Sequence, residues 1–363
     1  MTCRSKQLPA LLLGTALVAS VLGLGTVATA AGSGDTPAAS AVGHTGHTGH
    51  TAAVSTRASG DDPDGDGYIP AVPPVTDVTP SQATPPPRYH KEFQANCAVT
   101  HTAPDDPIVY PGQPGKSHDH TFMGNRTTHA GSTTASLYGR DTTCLAPADA
   151  SAYWMPSLYK GDRKISPVGP QVIYYKAGVT DYTSVRPFPK GLRFVVGDPM
   201  QSAQQFRGHK GFVEGWECGD SFFNTDIPAT CPSRPDVQLN LRMQAPSCWD
   251  GRYLDTPDHK SHMAYPVVKP GTNDNMCPAS HPVALPMIEF KMAWPVNGDM
   301  SDVRLAGGRG YSFHYDFFNA WEERTLKALV DQCIVGGFQC DARGYDLYHP
   351  ERAAVLNADY RLT

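Results

Sequence analysis

Imidazoles and carboxylates recur in this chain at spacings that suit metal binding or proton transfer. The densest run is Ser117-His118-Asp119-His120-Thr121. In an extended segment, residues two apart point the same way. His118 and His120 then form a two-histidine chelate of the kind that holds a divalent metal ion, although two hydrogen-bonded structural histidines fit the same pattern. A second group joins Trp249-Asp250-Gly251, Asp255 and His259-Lys260-Ser261-His262. On a helical turn His259 and His262 share a face, with Asp255 one turn before His259. That arrangement offers a second ligand pair, or a histidine oriented by a carboxylate as general base. Pro257 argues against a regular helix here, and a polar surface loop is the competing reading.

The third group is Tyr311-Ser312-Phe313-His314-Tyr315-Asp316. Period-two alternation sends Tyr311, Phe313 and Tyr315 to one face and Ser312, His314 and Asp316 to the other. An ordinary strand with an aromatic inner face and a solvated polar face accounts for this. A histidine beside a carboxylate is also a more basic imidazole with a fixed tautomer. The catalytic candidates are therefore His118, His120, His259, His262, His314, Asp255 and Asp316, with His118, His120 and His314 as the ligands of one divalent metal ion. Tyr153, Trp154 and Trp249, with Asp250, are candidates for contact with a sugar ring, and core packing is the alternative for the aromatics. GxSxG, HExxH and P-loop motifs are absent, which removes support for a lipase-type hydrolase, a zincin and a nucleotide hydrolase.

These residues need a scaffold, and its type is legible. Val237, Leu239, Leu241 and Met243 alternate with polar residues, as do Ile288, Phe290, Met292 and Trp294. That period marks strands with one buried face. Val172 to Tyr175 and Leu192 to Val196 are denser apolar runs suited to interior strands. One helix is expected from Ala320 to Cys333, capped by Asn319 with Glu322 three residues later. It carries a Glu323–Lys327 pair and is stopped by Gly336-Gly337. With 34 glycines and 33 prolines among 363 residues, the expectation is a mainly-β chain. It is a single β-sandwich or jelly-roll-like domain with long loops and one C-terminal helix.

The chain ends differ from this body. Arg4 and Lys6, the apolar stretch Leu11 to Leu24 and Ala28-Thr29-Ala30 read as a signal peptide over residues 1–30. Residues 31–87 read as a disordered Ala/Gly/Thr/Pro-rich linker, and residues 88–363 as the globular domain. The linker contains a His44, His47, His50 tract that reads as a polar spacer. It also contains Asp62-Pro63-Asp64-Gly65-Asp66-Gly67, the first half of a calcium loop, with Pro73 where the closing glutamate belongs. Of nine cysteines, Cys3 lies in the leader. Cys97, Cys144, Cys218, Cys231, Cys248, Cys277, Cys333 and Cys340 remain. An even number in an exported chain implies four disulfides, expected between sequence neighbours. A net charge of −5 excludes a generic nucleic-acid binder. No membrane span follows the leader, so the expected location is extracellular.

Asp106-Pro107-Ile108-Val109-Tyr110-Pro111-Gly112, the Ser117–His120 run and Ser151-Ala152-Tyr153-Trp154-Met155-Pro156 resemble the start of an exported family. It is catalogued as domain of unknown function nineteen-ninety-six. Pro246-Ser247-Cys248-Trp249-Asp250-Gly251, Asp255, His259 to His262 and Cys277-Pro278-Ala279-Ser280-His281-Pro282 resemble its centre. His314-Tyr315-Asp316-Phe317 and Trp321 resemble its end. The similarity spans about residues 88–333. It implies an extracellular role near cell walls, because some fungal members carry a carbohydrate-binding WSC module. It brings no reaction and no cofactor. The functional expectation is a His/carboxylate enzyme, metal-assisted or general acid–base, acting on extracellular or cell-wall polysaccharide. The alternative is a non-catalytic module that binds cell-wall glycan.

Overall fold

In this computed structural model the described residues are 60–352, 354–357 and 360. The leader, the linker up to residue 59 and the His44–His50 tract lie outside them. Two sheets packed face to face dominate the remainder, antiparallel throughout except where the edge strand Gln339–Cys340 of the larger one pairs parallel with Glu92–Gln94. The first has five strands: β1 (Val99–Ala103), β2 (His120–Gly124), β3 (Ala152–Pro156), β4 (Arg193–Gly197) and β5 (His314–Phe318). Their spatial order is β1-β2-β3-β5-β4. The second sheet has seven strands and is centred on Leu239–Gln244, Pro286–Trp294 and Val172–Ala177.

Alternation explains the packing. Leu239, Leu241 and Met243, with Ile288, Phe290, Met292 and Trp294, point from the seven-stranded sheet into the core. Tyr153, Met155, Phe194, Val196, Tyr315 and Phe317 meet them from the five-stranded sheet. The Phe290 and Tyr315 rings pack at 4.1 Å between centroids. The opposite face of the five-stranded sheet is also covered. Phe122, Trp154, Val195 and Phe318 form a smaller cluster there with Ile108 and Leu137. His120, His314 and Asp316 lie on this outer face, as period-two alternation requires of neighbours of Phe122 and Phe318. Four disulfides join Cys97 to Cys144, Cys218 to Cys231, Cys248 to Cys277 and Cys333 to Cys340. No helix among the described residues is long and apolar enough to cross a membrane.

Two expectations need correction. The C-terminal helix starts at Glu323 and passes from an α-helix (Glu323–Leu329) into a π-helical turn (Val330–Val335). Its cap is Glu322, whose carboxylate accepts from the backbone of Arg324 and Thr325. The Asn319 side chain instead donates to the Pro189 carbonyl, and Lys327 pairs with Asp331 rather than with Glu323.

Residues 60–87 are a strap laid on the sandwich, not a free linker. Ile69–Pro70 pairs antiparallel with Tyr253–Asp255. Ala71 and Val75 donate to the carbonyls of Arg252 and Gly251, and Asp61 bridges to Arg193 at 2.7 Å. Composition misses this because the strap docks chiefly through its backbone and a few well-placed side chains.

Arg193 is 3% exposed, so Asp61 neutralises a buried guanidinium. Removing one partner of such a pair costs about 3 kcal/mol. Asp61→Ala is therefore expected to lower unfolding stability in urea by about that amount. A change within ordinary surface-mutation noise would show that the Asp61–Arg193 pair contributes nothing.

Candidate metal centre

His120 opens β2 and His314 opens β5, and strand pairing brings them together. β2 pairs with β3, setting His120 opposite Pro156. β3 pairs with β5, setting Trp154 opposite Asp316. Each imidazole is then oriented by a backbone carbonyl. His120 Nδ1 donates to the Asp105 carbonyl at 2.9 Å, and His314 Nδ1 to the Ser312 carbonyl at 3.1 Å. With the ring proton on Nδ1, each Nε2 presents a lone pair. These two Nε2 atoms face one another at 3.3 Å.

His118 completes the cluster from the loop just before β2. Its ring centroid lies 4.3 Å from that of His120 and 5.0 Å from that of His314. Its Nε2 is buried with no hydrogen-bond partner. Ligand nitrogens of the three residues all fall within 4.8 Å of one another. Burial depresses all three imidazoles. His120 lies well below its ordinary range through burial and the charges of His118 and His314. His314 is pushed down to about 3 by burial and His118. Neutral imidazoles with converging lone pairs are the donor type that divalent transition metals take. Tetrahedral ligands at 2.0–2.1 Å from an ion stand about 3.3–3.4 Å apart, the separation found between His120 and His314.

Two carboxylates adjoin the set. Asp316 is fully buried, and neither oxygen has a hydrogen-bond partner. Asp106 and Asp316 each offer an oxygen within 4.8 Å of the other and of a His120 nitrogen. Burial raises Asp106 to about 6, against the pull of the Val109 and Ile108 amides. Burial and the nearby Asp106 raise Asp316 well above the carboxylate range. Both amides bind the same Asp106 oxygen, Oδ1. Asp106 was absent from the candidates. The loop that carries it is closed by Ser117 donating to the Pro104 carbonyl, and only that closure sets it beside His120.

The His259 group divides. His259 Nδ1 lies 3.0 Å from Asp255 Oδ1. The contact is made in a turn, with His259 at φ 56°, not in a helix. Burial pulls His259 down, but Asp255, Asp106 and Asp258 outweigh it and hold its pKa above the usual value. Its carbonyl accepts from Val195 on β4, so this dyad sits at the edge of the same sheet. His262 does not join it. Its nitrogens bond Thr256 and the Arg193 carbonyl at 2.9 and 2.8 Å, which anchors the loop to β4.

The aromatic candidates are structural. Tyr153, Trp154 and Trp249 are at most 1% exposed, so no ring face is free to stack on a sugar. The Tyr153 hydroxyl donates to Asp149, and the Trp249 indole donates to the Tyr253 carbonyl. Asp250 holds a turn by accepting from Arg252 and Tyr253. The polar face of β5, expected to be solvated, is buried under loops.

The titrating groups pull in opposite directions. Asp106, raised from 3.8 to about 6, favours the folded state below pH 4, and that contribution is lost as pH rises through 6. His314, lowered from 6.5 to about 3, favours it above pH 6.5, and that contribution is lost as pH falls through 3. Asp106→Asn keeps the Oδ1 acceptor and deletes the first contribution. In chelator, its stability relative to wild type is expected to grow between pH 4 and 7, measured by urea unfolding. A constant difference across that range would show that Asp106 does not titrate as described.

The chain matches no curated protein and no solved structure. A family model described as Domain of unknown function (DUF1996) matches residues 106–321, more than half of the chain. The strands and loops that build the three-histidine cluster fall within that match, from Asp106 to Asp316, and the chain belongs to this family.

Proposed function

We propose that the protein is a metal-assisted enzyme of the cell exterior, with one divalent transition-metal ion held by His118, His120 and His314. The observation that carries this is the pair of Nε2 lone pairs facing at 3.3 Å. Both rings already donate Nδ1–H to carbonyls, so no proton is available to bridge them, and a cation removes the repulsion. An ion held by these three imidazoles would leave a position for water and would lower the pKa of that water. Asp106 and Asp316, each with an oxygen within 4.8 Å of a His120 nitrogen, would be the groups to accept and return a proton there. His259, oriented by Asp255, supplies a second acid–base group at the sheet edge.

The exported location is supported by the four disulfides, which persist in oxidising compartments. Cell-wall polysaccharide is the substrate class that the family resemblance favours. The non-catalytic glycan-binding alternative loses its stacking platform, since Tyr153, Trp154 and Trp249 are enclosed.

Elemental analysis of the purified chain is expected to find about one divalent transition-metal ion per molecule, lost in His120→Ala and His314→Ala. Asp316→Asn is expected to keep the metal while turnover of wall polysaccharide falls about 100-fold. Absence of metal, or full turnover in both histidine variants, would overturn the reading.

A further inference from the structure

The four disulfides are not equivalent. Seven of the eight bridged cysteines are at most 7% exposed, whereas Cys144 is partly exposed. Its partner, Cys97, is fully buried. The same bridge is also the one, among the described residues, that has a carboxylate at its sulfurs. An Asp149 oxygen lies within 4.8 Å of both, and Asp149 Oδ2 stands 4.0 Å from Cys97 Sγ. One bridge thus combines a cysteine open to solvent with an enclosed cysteine backed by an acid.

Asp149 is itself fully buried. Its Oδ1 accepts from the Ser151 amide at 3.1 Å, and its Oδ2 from the Tyr153 hydroxyl at 2.7 Å. Behind Tyr153, the Trp321 indole donates to the Tyr175 hydroxyl, which meets that of Tyr153. The titratable groups facing Asp149 are these two tyrosines. Burial holds both well above the ordinary phenol range, so neither ionises in competition with it. No lysine, arginine or histidine among the described residues pairs with it. Burial, opposed by Tyr153 and Ser151, raises its carboxyl to about 7. In mildly acidic solution Asp149 therefore carries a proton.

Thiol–disulfide exchange needs such a group here. The displaced sulfur leaves as a thiolate, and a thiolate at buried Cys97 would be an unpaired charge without solvent. We propose that Cys97–Cys144 is an exchange-active disulfide opened by an external dithiol, with Cys144 as the attacked sulfur and Asp149 as proton donor to Cys97. A thiolate of the dithiol bonds to Cys144 Sγ, and the S–S bond breaks with its electron pair on Cys97 Sγ. Asp149 gives that sulfur its proton and becomes a carboxylate. The second thiol then displaces Cys144 from the mixed disulfide, and Cys144 takes up the proton that this thiol loses. Both cysteines end reduced, and the dithiol ends oxidised to its own disulfide. Asp149 regains from solvent the proton that the first thiol released. This chemistry is independent of the metal-centre reading.

The test treats the full exported chain with limiting dithiothreitol between pH 5 and 8, followed by timed alkylation and peptide mapping. Cys97 and Cys144 are expected to be labelled before the other six cysteines. The opening rate per dithiothreitol thiolate should fall as pH rises through 7, because Asp149 loses its proton. Asp149→Asn should be about 100-fold slower below that pH and should lose this dependence. Cys97→Ser, treated with oxidised glutathione, should carry the adduct on Cys144. The proposal falls if another bridge opens as early, if the per-thiolate rate is flat with pH in the wild-type chain, or if Asp149→Asn opens as fast. The first two measurements use the wild-type chain, so they decide the matter even where a variant fails to fold.

Discussion

Two imidazole lone pairs held 3.3 Å apart inside a protein are a constraint that everything around them must sustain. The Asp105 and Ser312 carbonyls impose it by taking the Nδ1 protons. Left as they are, the facing nitrogens repel, and the buried Asp316 oxygens beside them lack donors. Burying polar groups without partners costs about 1–3 kcal/mol each. Such an arrangement persists only where a large, well-packed body opposes its relaxation. Polar networks left partly unsatisfied in this way recur at functional sites.

The sandwich supplies that body. On β5, Tyr315 and Phe317 are locked in the core between the sheets, while His314 and Asp316 project from the opposite side of the same backbone. Rigid strands place side chains more closely than loops do. The loops act as a roof. The segment from Pro104 to Ser117 brings Asp105 and Asp106 over His120. The turn from Asp255 to His262 is fastened to β4 through Val195 and Arg193. The strap adds a further tie, pairing with Tyr253–Asp255 next to the His259 dyad. A polar sheet face that would ordinarily meet water is thereby enclosed, which is why its imidazoles are neutral and its carboxyls are hard to ionise.

Much of the scaffold was legible. Period-two alternation located the strands around Leu241 and Phe290, because one buried face leaves a clear pattern. The cysteine pairing by neighbours matches the four bridges found. Within the site, His118, His120 and His314 were visible as separate short motifs. Other readings failed for identifiable reasons. Tyr153, Trp154 and Trp249 were read for their ring chemistry, but an aromatic side chain is the same residue on a surface and in a core. The strap was judged by composition, which does not register backbone pairing. Asp106 sits in a loop with no periodicity, and nothing local distinguishes it from other aspartates.

By itself the sequence determined the class of fold, the four-bridge framework and the residue types available for chemistry, because these follow from patterns over a few neighbouring positions. Only the tertiary structure decided which histidines meet. His118 and His120 are nearly 200 residues from His314, and their meeting depends on the order β2-β3-β5. The same order leaves His262 bonded to β4 and sets Asp106 against Asp316. Pairing between distant strands is a property of the whole sheet, and no local spacing encodes it.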